Sequence, residues 1–193
     1  MSLIKYECPC LETRRLNLRA ITVGDLDSLK LLYHDEMTYP YLKRKMMREE
    51  KKPHLLFRGH KQSIEEINKI RWGISLKTDN VLIGEISLYN IEEWNSGTVG
   101  YRLRHEFWNN GYVTEALMEL VEYAFQTMGL VRLEATVVVE NFASIRVLEK
   151  CGFIKEKLMQ NEKFGDTYCD YYLYTSYKLR SKSQNVEMIV QGP

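Results

Sequence analysis

The stretch FWNNGYVTEALMELVEYAF, residues 107–125, sets two side-chain amides and a glycine directly before a long amphipathic run. Asn and Gly suit an ordinary turn, because Gly accepts a left-handed backbone and Asn bonds its own main chain. The same residues ahead of a helix can instead present unpaired N–H groups to an anion, where the helix dipole adds positive potential. Val113, Ala116, Leu117, Leu120, Val121, Ala124, Phe125 and Met128 recur at helical spacing and predict a long helix that Gly129 ends.

Strand signals flank that helix on both sides. Upstream, the alternating segments 72–76, 81–89 and 98–104 are separated by Thr78-Asp79-Asn80 and by the turn signal IEEWNSG at 91–97, which predicts a three-strand meander. Downstream, residues 133–139 are too apolar for a half-exposed strand and are expected at the centre of a sheet. A short helix runs from Asn141 to Lys150, and strands at 153–160 and 168–177 form a final hairpin around Lys163-Phe-Gly-Asp166. Near the start, Arg15-Leu-Asn-Leu-Arg19 alternates as a first strand. Thr22-Val-Gly-Asp25 then resembles a capping box ahead of Leu26, Leu29, Leu32 and Tyr33. The pattern dissolves between 40 and 59, after which Ser63 opens a second helix carrying Ile64, Ile67 and Ile70.

The expected order is β α α β β β α β α β β, an α/β fold with a mixed (α+β) sheet. The strand–helix–strand unit at its centre has to join parallel strands by a right-handed crossover. With 193 residues, one well-buried core is expected over 1–180, followed by a polar tail at 181–193. A hydrophobic fraction of 45% and a charged fraction of 27% belong to an ordinary soluble globular chain. Nothing approaches the roughly 20 apolar residues of a membrane span, so a cytoplasmic protein with no membrane partner is expected.

Net charge is +1, yet residues 43–61 hold eight Lys/Arg against two acids, a local +6 that leaves −5 elsewhere. Such a segment suits an acidic or RNA-associated partner, or simply a solvated face, while the −5 argues against a general nucleic-acid binder. The four cysteines, Cys8, Cys10, Cys151 and Cys169, read as reduced thiols. Cys8-Pro9-Cys10 has no second Cys/His pair at ligand spacing, so no metal is expected.

With these elements placed, three separated blocks carry a resemblance. They are Val99-Gly-Tyr-Arg-Leu103 followed by Phe107-Trp-Asn-Asn-Gly-Tyr-Val-Thr-Glu-Ala116, then Arg132-Leu-Glu-Ala135, then Asn141-Phe-Ala-Ser-Ile-Arg-Val-Leu-Glu-Lys-Cys-Gly-Phe153. Together they resemble the GCN5-related N-acetyltransferases (GNAT), and within them the RimJ/RimL branch that acetylates ribosomal-protein N-termini. The family's loop usually reads Gln/Arg-x-x-Gly-x-Gly/Ala. Here Trp108 stands first, Gly111 is kept, and Val113 replaces the last small residue. Asn109 stands where that branch commonly has Gly, and Asn tolerates positive φ better than most residues.

The resemblance implies acetyl-coenzyme A as cosubstrate and a primary amine as acceptor, on a protein N-terminus (ribosomal or other) or a small molecule. It implies that main-chain N–H groups of Asn110, Gly111, Tyr112, Val113 and Thr114, in the turn that Asn109 helps to shape, hold the pyrophosphate. The backbone of Tyr101, Arg102 and Leu103 would lie along the pantetheine arm, with Asn141 reaching it from the other side. Asn141 also reads as a plain helix cap.

The family's frequent Tyr acid is replaced by Leu148, and Ser144 stands where the RimJ/RimL branch has a Ser proposed as the acid. Its other reading is a helix-side hydroxyl bonded to the preceding turn. The frequent Glu base is replaced by Thr98. This leaves Glu85, a carboxylate in an apolar run, then Glu134, or an ordered water. The resemblance is silent on whether the chain is a monomer or a homodimer. A non-catalytic coenzyme A-binding sensor is the alternative reading.

Overall fold

The structure, a computed structural model, describes residues 8–35, 37, 68–91, 95–164 and 167–178. The strands are β1 (Leu11–Glu12), β2 (Leu16–Arg19), β3 (Lys69–Leu76), β4 (Leu82–Tyr89), β5 (Ser96–Leu103), β6 (Arg132–Val138), β7 (Ile154–Phe164) and β8 (Thr167–Tyr177). The helices among the described residues are α1 (Leu26–His34), α2 (Tyr112–Glu122) and α3 (Phe142–Lys150). Short 3-10 turns precede α1 and follow β5. The sheet order is β1-β2-β3-β4-β5-β6-β8-β7, antiparallel throughout except where β5 meets β6 in parallel. The expected crossover through α2 is therefore present, and β6 is central, between β5 and β8.

Strand alternation sends one set of side chains to each face of the sheet. Leu16, Leu18, Trp72, Ile74, Ile86, Leu88, Val99, Leu103 and Leu133 pack with Ala116, Leu117 and Leu120 of α2 and Leu148 of α3 in the main core. Each fully buried Leu or Ile there contributes roughly 1.5–3 kcal/mol relative to exposure. The opposite face meets α1, where Leu29, Leu32 and Tyr33 pack on Leu82. Trp72 has no exposed surface; its indole N–H donates to the Pro9 carbonyl at 2.7 Å, and Tyr123 meets its ring edge-on.

Several boundaries differ from the sequence reading. Ile70 belongs to β3 rather than to a helix, because Lys69 and Ile70 pair with Tyr89 and Leu88, and Asn68 turns the chain at φ 65° just before them. Ser96 and Gly97 are strand rather than turn, since the parallel ladder to Arg132 and Leu133 overrides the Ser-Gly signal. Residues 132–138 are central but not apolar on both faces: Arg132 and Glu134 are half-buried and Thr136 is exposed. The helix opened by α2 widens into a π-turn at Tyr123–Thr127, closed by a bond from Met128 N–H to the Tyr123 carbonyl. Lys178 donates its ammonium to the Phe125 carbonyl within that wider turn. The expected helix from Ser63, the basic segment 43–61 and the tail 181–193 lie outside the described residues.

Every non-glycine residue with positive φ among the described residues is asparagine: Asn68, Asn80, Asn90, Asn95, Asn109 and Asn161. Asn109 at φ 61° thus does in its loop what Asn does at five other positions, four beside strand ends and Asn161 at an irregularity within β7.

Two carboxylates anchor the first strands. Asp25 accepts from Arg19 at 2.8 and 2.9 Å and from the Thr22 N–H at 2.8 Å. Glu115 accepts from Thr13 at 2.6 Å, from the Arg15 N–H at 2.8 Å and from Arg15 Nε at 2.6 Å. Burial alone would raise both carboxyls, but these donors hold both below the ordinary value. A lowered folded pKa gives stability that is complete above the unfolded value, near ~4, and is lost as pH falls through the folded value. The melting temperature is expected to hold from about pH 7 to 5 and to drop below about 4, with a shallower drop in Asp25→Asn and Glu115→Gln. Acid melting curves identical in all three proteins would refute this account.

Candidate active site

β5 and β6 pair only over Ser96↔Arg132, Gly97↔Leu133 and Thr98↔Glu134, while β5 continues to Leu103. Past Thr98 the two strands diverge, since β6 continues its ladder with β8 alone and β5 with β4 alone. The wedge between them exposes one edge of β5, which carries Tyr101, Arg102 and Leu103. Such an edge offers main-chain donors and acceptors to any extended chain that enters.

The loop from β5 to α2 is fixed from within. The Trp108 indole donates to the Leu103 carbonyl at 2.8 Å, tying the loop to the end of β5. The Asn110 side-chain amide folds back onto the carbonyls of Phe107, at 3.2 Å, and Trp108, at 2.9 Å. Gly111 caps α2 at φ 75°, and no side chain caps the helix. Glu115 N–H donates to the Gly111 carbonyl, so the N–H groups of Tyr112, Val113 and Thr114 precede the first bonded turn and have no acceptor inside the helix. An uncapped helix start of this kind can receive an anion.

Glu115 in the first turn of α2 would repel such an anion. Its charge is met by Arg15, whose guanidinium lies over the Tyr112 ring at 4.5 Å. A Cβ built on Gly111 would stand 3.6 Å from Arg15 Nη2, so cationic charge borders the cradle. The sequence reading missed this arrangement. Glu115 is visible as an acid beside a helix start, but nothing local reveals a partner on another strand.

α3 forms the other wall. Asn141 caps it, its Oδ1 accepting the Ser144 N–H at 3.1 Å, so its capping role is realised. The Ser144 hydroxyl does not bond back to the preceding turn. It meets the Tyr101 phenol at 2.7 Å, across the wedge from β5. Burial pushes the Tyr101 phenol up, against a smaller opposing effect of the bond to Ser144. At the far end of α3 the Cys151 thiol donates to the Thr114 carbonyl at 3.5 Å, linking the two helices. Burial pushes that thiol up to about 11, which keeps it protonated.

Glu85 lies on the opposite face of the sheet from Ser144. It is the cross-strand partner of Arg102 on β5, while the adjacent Tyr101 points to the α3 side. Glu85 is 9% exposed and accepts from the Tyr33 phenol at 2.9 and 3.0 Å. Arg71 Nη1 stands 3.7 Å from its Oε2, and the Arg102 guanidinium covers the Tyr33 ring at 4.3 Å. The structure therefore brings together Tyr101, Ser144, Asn141 and the Gly111 loop on one side, with Glu85 and Arg102 on the other. Glu134 is engaged by Arg132 at 3.0 Å. His105, in the turn after β5, meets Asp35 at 3.0 Å. Of the late tyrosines, Tyr174 is fully buried and donates to Glu149, whereas Tyr168 and Tyr177 are exposed.

A parallel pair that splays beyond Thr98 is thus joined by an uncapped, glycine-led helix that starts beside an unpaired edge of β5. Comparison with known proteins identifies the family. Residues 15–154 match the acetyltransferase (GNAT) domain family. An uncharacterized N-acetyltransferase of Bacillus subtilis, YoaA, is 30% identical over 89% of this chain and 98% of its own length. Among solved structures, a GNAT-family acetyltransferase from Bacillus anthracis superposes with a TM-score of 0.78 at 22% identity, covering 88% of this chain and 98% of its own. RimJ of Mycobacterium smegmatis, solved in complex with CoA-disulfide, gives 0.78 at 21% identity, over 88% of this chain and 86% of its own. The chain belongs to the GNAT acetyltransferase family and is an N-acetyltransferase.

Proposed function

We propose that the protein transfers the acetyl group of acetyl-coenzyme A to a primary amine by direct attack on the thioester. The observation that carries this reading is the uncapped start of α2 at Gly111, opening beside the free edge of β5. The N–H groups of Tyr112, Val113 and Thr114 hold the pyrophosphate, with Gly111 shaping the turn and Asn109 and Asn110 fixing the loop. Main-chain groups of Tyr101, Arg102 and Leu103 and the Asn141 amide hold the arm. The match to RimJ, described with a coenzyme A disulfide, supports this choice of carrier. Acetyl-coenzyme A supplies the activated acyl carbon.

The chain's own residues handle charge and protons. As the C–N bond forms and the C–S bond breaks, the sulfur takes the electron pair and the Ser144 hydroxyl hydrogen-bonds to it. Water supplies the proton that completes the thiol, while the nitrogen gives up its own proton to water. A thiol whose reference pKa is about 8.5 needs only modest help, so the contribution sits at the low end of acid catalysis. Glu85 serves the acceptor side. The Tyr33 phenol donates to it at 2.9 Å and the Arg71 guanidinium stands 3.7 Å away. Its carboxyl draws in the ammonium, whose proton is lost to water. The acceptor is a protein N-terminus or a small amine.

Release of free thiol from acetyl-coenzyme A with a panel of amines tests the reading. Ser144→Ala is expected to lower kcat by about 10²-fold with the acetyl-coenzyme A KM unchanged. Glu85→Gln is expected to raise the amine KM instead. A folded protein that binds coenzyme A but releases no thiol with any amine would favour the sensor reading.

A further inference from the structure

Tyr101 enters the proposal above only through its backbone, yet its side chain is the more singular feature. On β5 it is one residue beyond Gly100, in the part of the strand that β6 has left. From there its phenol crosses to the first turn of α3, reaching Ser144 Oγ at 2.7 Å and the Ser144 carbonyl at 3.3 Å. We propose that Tyr101 is a positioning residue for the acyl transfer, its phenol donating to Ser144 Oγ so that the serine's own hydrogen is aimed at the departing sulfur. This rests on the reading of Ser144 as the donor to sulfur.

At 2.7 Å either hydroxyl can donate, and we assign the phenol as the donor. A phenol has one hydrogen, and in this assignment it goes to the nearer serine oxygen at 2.7 Å, with the Ser144 carbonyl also in reach at 3.3 Å. The phenol is also the more acidic of the two hydroxyls, hence the better donor. Ser144 then has one lone pair occupied and its hydrogen free. Without the phenol, that hydrogen would turn to a carbonyl of the preceding turn, the common fate of a helical Ser hydroxyl. Two hydroxyls in series also polarise each other, which strengthens the donor at the far end. Burial keeps the phenol protonated across any workable assay pH, so it acts as a fixed orienting donor and not as a proton source.

A double-mutant cycle tests this on the full-length protein. Tyr101→Phe is expected to lower kcat about tenfold, the loss of one orienting hydrogen bond, with acetyl-coenzyme A KM and calorimetric affinity unchanged. In the Ser144→Ala background, the same change is expected to cost nothing further. Tyr101→Phe lowering the rate equally in both backgrounds would overturn the positioning role and make the phenol an independent contributor. A loss of affinity in step with the loss of rate would also overturn it, as would an unaltered kcat in Tyr101→Phe. Failure of the underlying reading looks different: Ser144→Ala alone would turn over as fast as the parent protein.

Discussion

Replacing Gly111 by valine is expected to weaken acetyl-coenzyme A binding on the order of 10³-fold while leaving the protein folded. The glycine sits at φ 75°, a region closed to a β-branched side chain without strain. Space is not the difficulty, because a Cβ would lie 3.6 Å from Arg15 Nη2, an ordinary contact. The backbone itself must rotate, and in the proposed binding mode that rotation turns the N–H groups of Tyr112 and Val113 away from the pyrophosphate. Losing two charge-assisted bonds at roughly 2 kcal/mol each gives about 4 kcal/mol, hence the factor. Gly129→Val is the control. It sits at the same φ of 75° with nothing within 4 Å, so it carries equal strain at the opposite end of the helical segment. Calorimetry should show binding lost in the first and kept in the second. Equal losses in both would assign the effect to general destabilisation, and none in Gly111→Val would remove the loop from the site.

The mixed sheet, the crossover and the helix behind Gly111 were legible because periodicity and turn residues are local signals. Gly111, Asn109 and Asn141 are in the same class, since each is read from a backbone requirement at its own position. What escaped the sequence depends on chain folding at long range. Glu115 finds Thr13 and Arg15, and Tyr101 finds Ser144, over separations for which no spacing rule exists. Ser96 and Gly97 read as turn until β6 is alongside, and Ile70 as helix until Leu88 is opposite. The π-turn at Tyr123 was hidden for a similar reason, because Lys178 reaches its Phe125 carbonyl from beyond β8. Glu85 was visible as an acid in an apolar run, but only the sheet register shows that it faces away from Ser144. In the proposed roles, the groups serving the leaving sulfur and the acceptor thus occupy opposite faces of one sheet, on either side of the wedge past Thr98.

That wedge depends on how closely β4 holds β5, and Gly84→Val tests the dependence. Gly84 pairs with Leu103, and a Cβ there would stand 2.4 Å from the Arg102 carbonyl oxygen and 2.8 Å from Leu103 Cδ1. The first obstacle is backbone, so the end of β5 has to move outward. Overpacking of this kind costs about 3 kcal/mol or more, read as a lower melting temperature. The displacement also carries function. Leu103 is the carbonyl to which the Trp108 indole ties the loop, and Tyr101 must stay within reach of Ser144. Stability and acetyl-coenzyme A affinity are therefore expected to fall together. Gly97→Ala separates packing from position, because its Cβ would meet only the methyl ends of Leu88, at 2.8 Å, and Leu130, at 3.3 Å. Those side chains can turn aside, so a milder loss of about 1 kcal/mol with affinity intact is expected. A Gly84→Val protein that is destabilised yet binds acetyl-coenzyme A like the parent would show that the end of β5 does not hold the arm, since the strand can be displaced without the ligand noticing.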